Sequence, residues 1–321
     1  MSWLLIAIIS YFILAVVYIA DKYLLKNGIP DPKVFAFYVG ILGIVVIFLA
    51  PFIHFYFPDF KQIIFSFLAG FFSVYGLFWF YKGLKLFETS RIVTAVGGLS
   101  PLLTFVLVFL FSFGKEKLSL SDTFSFFLLV IGSILITSEE NPIFEIKNKI
   151  KKDQTDILKI SLITALLFSL SFIFSKYVFS TQPFWNGFIW IRIGAFISAF
   201  TFLLFFPETR KRILIDIKNR KEFQKEKREK VSSAIIFFLS QAAGGLGALL
   251  QNWAIALAPL AYISIITALQ GLQYVFLFIF TIILSLKFPT ILKEKISKKI
   301  IFQKAVAIIV ISLGLAILVL K

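Results

Sequence analysis

Arg192 is the only charged residue in FWNGFIWIRIGAF, residues 184–196, and it lies near the middle of a long apolar run. Placing a guanidinium at the centre of a bilayer-spanning helix costs at least about 2.5–3.5 kcal/mol, so Arg192 is expected to face protein or water rather than lipid. There it can serve as a counter-charge for an anionic group or as a clamp on backbone carbonyls. Amides supply a second chemistry. In SQAAGGLGALLQN, Gln241, Gly244 or Gly245, Ala248 and Gln251 or Asn252 recur every three or four residues, which is one helix face with polar ends and a small middle. Ser264, Thr267, Gln270 or Gly271, and Tyr274 form a similar face in the next run, with Gln273 beside them. Such groups can hydrogen-bond a passing solute, and they can equally tie one helix to another. Tyr75, Trp79 and Lys82 share a face, as do Tyr11 and Tyr18. Thr94, Gly97, Gly98, Pro101 and Thr104 form a further stripe, in which a proline that frees a carbonyl beside two glycines marks a hinge.

Other chemistries are excluded by what the chain lacks. It has one histidine, His54, and no cysteine, so no disulfide framework, thiolate metal site, cysteine nucleophile or clustered metal-ligand set can be assembled. No cofactor is expected. Every Asp and Glu is expected in a loop or at a helix end, leaving no carboxylate within the membrane to relay protons. An enzyme would have to work with Lys, Arg, Tyr and amides alone.

The elements that carry these residues follow from hydropathy. Of 321 residues 59% are hydrophobic and the mean hydropathy is +0.94, far beyond a soluble domain. About 20 apolar residues span the hydrocarbon layer, and ten such stretches occur, near 3–20, 34–52, 63–81, 92–113, 122–137, 158–179, 184–206, 233–256, 260–286 and 303–320. The first has no basic leader and no small-x-small motif before DKYLLK, so it reads as a helix rather than a secretory signal. The expected class is an all-α, multi-pass integral protein of the cell membrane. The net charge of +16 comes from loop lysines and arginines, which suit anionic lipid headgroups; membrane lipids are expected partners and nucleic acid is not. Odd-numbered loops hold nearly all of these basic residues; the positive-inside rule would set those loops in the cytoplasm and both termini outside, while the number of spans fixes only that the two termini share a side. Within the seventh loop, residues 210–230 are expected to form a solvated or surface-lying helix.

The two halves also repeat. FIFSKYVFS at 172–180 overlays YIADKYLLK at 18–26, bringing Lys176 onto Lys22 and Tyr177 onto Tyr23 and, without a gap, Gly194 onto Gly40 and Arg192 onto Tyr38. KEKLS at 115–119 likewise matches KEKIS at 293–297, and the offset between halves changes only in loops. This divides the chain into repeats at 1–140 and 158–321, joined by a linker at 141–157. Five spans per repeat is an odd number, so the second repeat enters the membrane inverted, an architecture that places a binding site between the halves.

A Lys near the end of the first helix of each half, an Arg in the next helix and a Glu-basic-apolar-Ser turn before the fifth resemble the EamA-type repeat of the drug/metabolite transporter superfamily. The residues that carry the likeness are Lys22, Gly83, Leu84, Pro101, Glu116, Lys117, Leu118 and Gly132, then Lys176, Arg192, Ala254, Leu257, Glu294, Lys295, Ile296 and Gly314. Lys115 and Lys293 stand where the family usually has Gly, and Tyr38 replaces the first-half Arg. The resemblance implies a transporter that exports or exchanges small metabolites by alternating access, with lipid flipping as the alternative. Its pathway is expected along Arg192, Gln241, Gln251, Asn252, Thr267, Gln270, Gln273, Tyr274, Tyr75, Trp79 and Tyr18, hinged at Gly97, Gly98 and Pro101.

Overall fold

A computed structural model describes residues 2–27, 31–87, 89–137, 151–207, 209–211, 227–287 and 298–320, and among these there is no strand. The helices are α1 (Ser2–Asn27), α2 (Pro32–Leu42), α3 (Phe60–Leu86), α4 (Thr89–Phe111), α5 (Leu120–Thr137), α6 (Lys151–Thr181) and α7 (Phe184–Phe205), then α8 (Lys227–Leu257), α9 (Ile263–Ala268), α10 (Gln270–Lys287) and α11 (Lys298–Val319). Among the described residues ten segments are long and apolar enough to cross a membrane, and each overlaps a stretch expected from hydropathy. Helix α6 begins at Lys151, so residues 151–157 of the expected linker are already helical. Most of the loop at 210–230 lies outside the described residues.

Three local departures were not visible in the apolar runs. The second span starts at Pro32, behind an Asp31 cap whose carboxylate accepts from the Lys33 N–H at 2.9 Å, and after Leu42 it tightens into a 3-10 helix over Gly43–Phe52. The ninth span is interrupted at Leu269: the Leu269 N–H bonds Ile265 four residues back, and the Leu272 N–H bonds Leu269 three back. This local tightening sets Gly271 directly against the Ser133 side chain of α5. The third departure is a correction. Helix α1 continues to Asn27, so Asp21 lies inside a helix rather than at its end.

With lipid as solvent there is no hydrophobic force between helices, and close approach of small residues takes its place. Gly70 of α3 meets the backbone of Ile191, Gly194 and Ala195 on α7, where any side chain would collide with main-chain atoms. Gly132 of α5 abuts Ile311 and Ala307 of α11, and the Ser125 hydroxyl donates to the Gly314 carbonyl at 2.6 Å. The pairings follow a two-fold pattern. Helix α1 packs on α8 as α6 packs on α3, while α2 lies on α7, α4 on the ninth span and α5 on α11. Exchanging span n with span n+5 maps each of these pairs onto another or onto itself. Hydroxyls seal the α1–α8 and α3–α6 pairs: Ser10 donates to Gly247 at 2.8 Å and Ser171 donates to Ala69 at 2.9 Å.

Candidate functional site

Residues 11, 14, 18 and 21 of α1 lie three or four apart and form one face. The Tyr11 hydroxyl donates to the Ile266 carbonyl of α9 at 2.7 Å and accepts from the Gln251 amide of α8 at 3.2 Å. One side chain thus joins three spans, and it reaches Ile266 in the buried run Ile263–Leu269 that forms the centre of the bundle. Gln273 of α10 donates to the Leu14 carbonyl at 3.2 Å, which fixes α10 to the same α1 face. Tyr274 is 5% exposed, and its ring lies against Gly97 of α4: a Cβ on Gly97 would stand 2.9 Å from Tyr274 Cε2. Pro101 has no N–H to offer the Gly97 carbonyl one turn earlier, so α4 is loosened where the tyrosine ring rests. The hydroxyls of Tyr18 and Tyr274 are enclosed and unpartnered. Leaving such a group unpaired costs roughly 1–3 kcal/mol, and among the described residues nothing pairs with these two.

Gln251, Gln273, Tyr274 and Tyr18 are therefore brought together from four of the expected positions, beside Gly97 and Pro101 of α4. Gln241 and Gln270 are partly buried, and neither amide has a partner among the described residues. Asn252 and Thr267 turn back on their own helices, to Ala248 and Ser264, at 2.8 Å each. Gly98 accommodates Ile134, with 3.0 Å between that side chain and an added Cβ. The run Ile263–Leu269 is buried throughout.

The other expected residues lie apart from this cluster. Tyr75 shares a 2.6 Å hydrogen bond with Thr201 and stacks on Phe202, joining α3 to α7, and Trp79 lies under the Lys82 ammonium at 4.3 Å. The Arg192 guanidinium sits 4.8 Å over the Phe188 ring, and its side chain passes Gly43, where the 3-10 segment begins. Its enclosed Nε has no acceptor. Its Cδ would stand 3.5 Å from a Cβ on Gly43, so the side chain lies against the second span.

Sequence reasoning missed two carboxylate ties at opposite ends of the bundle. Asp21 accepts from Ser240 of α8 at 3.0 Å and from Tyr81 of α3 at 3.2 Å. Asp122, buried in the first turn of α5, accepts from Ser119 at 2.6 Å and from Tyr262 at 2.8 Å. The only sequence signal for Asp122 was the Ser-x-x-Asp spacing of a helix start. On the outer side of α1, an apolar cleft of about 520 Å³ lies between Val16, Ile19, Ala20 and Tyr23 and, from α8 and α10, Ile236, Phe280 and Ile283.

Ten apolar helices in this arrangement define a polytopic, all-α membrane protein. Residues 1–138 match the family model described as the EamA-like transporter family, so the first half of the chain is similar to that family, which is part of the drug/metabolite transporter superfamily. The whole chain is similar in fold to a solved structure described only as a protein crystal structure, with a TM-score of 0.64 over 99% of this chain and 96% of the other at 16% identity. No curated protein matches.

Proposed function

We propose that this EamA-type membrane transporter carries small polar or amphipathic metabolites of amino-acid-like size across the cell membrane, as an exporter or exchanger working by alternating access between two inverted repeats. The observation that carries the reading is the polar cluster at the meeting of α1, α4, α8 and the ninth span, where Tyr11 links three spans and the Tyr18 and Tyr274 hydroxyls are unpartnered. Hydroxyls and amides bind a zwitterion or a neutral polar solute through hydrogen bonds, and the surrounding aromatic rings accept its apolar part. Alternation is supported by the pairwise exchange of helix contacts and by the hinge at Gly97 and Pro101 under Tyr274.

Counterflow tests this reading. Liposomes containing the protein and loaded with unlabelled amino acids should take up the matching radiolabelled pool saturably, and protein-free liposomes should not. A second reading, flipping of a lipid-linked substrate, is favoured by the apolar cleft beside α1, which can admit an acyl chain from the bilayer. In that case headgroup-bearing lipids would compete with uptake or replace it. Turnover in detergent, where no compartments exist, would instead indicate an enzyme.

A further inference from the structure

We infer that the cleft on the outer side of α1 is a binding site for one anionic phospholipid, which the protein retains rather than transports. The cleft is a trough of about 520 Å³ whose floor is α1 and whose walls are α8 and α10, both of which pack on α1. Val16, Ile19, Ala20 and Tyr23 recur every three or four residues along the floor, Ile236 stands on one wall, and Phe280 and Ile283 stand on the other. Phe12 ties the floor to that second wall through edge contacts with Phe276 and Phe280, at 5.3 and 5.5 Å between ring centres. Apart from the phenol of Tyr23 the lining is apolar, so water finds no partners there and an acyl chain from the bilayer fits its chemistry. With about 100° of turn per residue, this floor points away from the α1 face that carries Tyr11, Leu14 and Tyr18. The occupant therefore lies outside the polar cluster.

The charge of the headgroup follows from the end of the bundle at which the trough lies. Its residues fall at the end of the first span, the start of the eighth and the end of the ninth, so it reaches the membrane surface where the odd-numbered, basic loops emerge. Helical spacing sets Lys26 seven residues after Ile19, on the face of α1 that forms the floor, and Lys287 four residues after Ile283, on the face of α10 that forms a wall. Tyr23 stands between the apolar floor and Lys26, as phenols do at the level of the headgroups. A phosphodiester at that level meets opposite charge, which favours a lipid of net negative charge over a zwitterionic one. A chain seated in the trough braces α1 between α8 and α10 from outside, while Tyr11 holds the same helix from within.

The test is native mass spectrometry of the full-length protein in mild detergent, given equal amounts of phosphatidylglycerol and phosphatidylcholine with the same acyl chains. The wild type should retain one phosphatidylglycerol per chain with a preference of about 30-fold, the advantage that two lysines give an anion near a membrane surface. Val16→Trp and Ile283→Trp each put an indole into the trough from a position about half exposed to lipid, where the fold has room for it, and each should cut retention of both lipids. Lys26→Gln/Lys287→Gln should still bind lipid but without the preference. Equal retention of the two lipids by the wild type, or phosphatidylglycerol retention undiminished in both Trp variants, would overturn the inference, and an unchanged preference in the lysine variant would overturn the headgroup assignment. Protein-dependent crossing of fluorescent phosphatidylglycerol between the leaflets of a liposome would also overturn it, by making the lipid cargo. None of these readings requires counterflow, so the failure of the carrier reading and the failure of this one are told apart.

Discussion

Replacing Gly97 by alanine probes the contact on which the proposed hinge depends. The new methyl would stand 2.9 Å from Tyr274 Cε2 and 3.3 Å from the tyrosine oxygen, and a ring only 5% exposed cannot turn aside without moving its neighbours. Overpacking of this kind costs about 1–3 kcal/mol. Exchanging Gly for Ala inside a helix returns up to about 1 kcal/mol, leaving a net loss of roughly 0–2 kcal/mol. If Tyr274 must slide over Gly97 during the transition between occluded and open states, a barrier raised by about 1–2 kcal/mol slows exchange about 5- to 30-fold. The assay is the initial rate of counterflow, paired with thermal unfolding in detergent. Gly97→Ala/Tyr274→Leu, which removes the ring, should recover much of the lost stability because the two positions touch. Wild-type rates and stability for Gly97→Ala, or no recovery in the double variant, would refute the hinge contact.

The other predictions concern how the helices are fastened. Tyr11→Phe, Gln251→Leu and their combination form a double-mutant cycle whose coupling, read from unfolding in detergent or bicelles, should be about 0.6 kcal/mol and below about 1.7 kcal/mol, the range of interhelical hydrogen bonds in membranes. A coupling of zero would dissolve the three-span link. Gly70→Ala should destabilise strongly because its methyl would meet α7 backbone, while Gly245→Ala, with nothing within 4 Å, should be neutral or slightly stabilising; thermal unfolding reads both. Arg192→Met should weaken α7 packing yet keep exchange, since the guanidinium rests on Phe188 of its own helix. Abolished counterflow in a well-folded Arg192→Met would return Arg192 to a counter-charge role.

The ten spans were legible because a run of about 20 apolar residues is itself the condition for crossing a bilayer. The amide stripes could be read from spacing as well. Spacing could not say which stripes meet: Gln251 finds Tyr11, while Asn252, its neighbour, bonds back to Ala248. Helix identity within a span was equally hidden, since the run from Gly43 to Phe52 looks like any apolar helix and yet forms a 3-10 segment. The apolar run ends at Asp21, as the candidate membrane span does, but α1 runs six residues further and the Asp21 carboxylate accepts from Ser240 and Tyr81, a meeting that spacing along the chain does not show. The ring under Arg192, Phe188 four residues earlier on its own helix, lay within the same quoted stretch.

The account depends on the central cluster being reached alternately from both sides of the membrane. The chain has no cysteine, so Gln270→Cys would introduce a single thiol at a partly buried position whose amide has no partner among the described residues. In oriented proteoliposomes a membrane-impermeant maleimide should modify that thiol from either face, and saturating amounts of an exchanged amino acid should slow the reaction. Modification from one face only, unchanged by the amino acid, would contradict alternating access through this cluster.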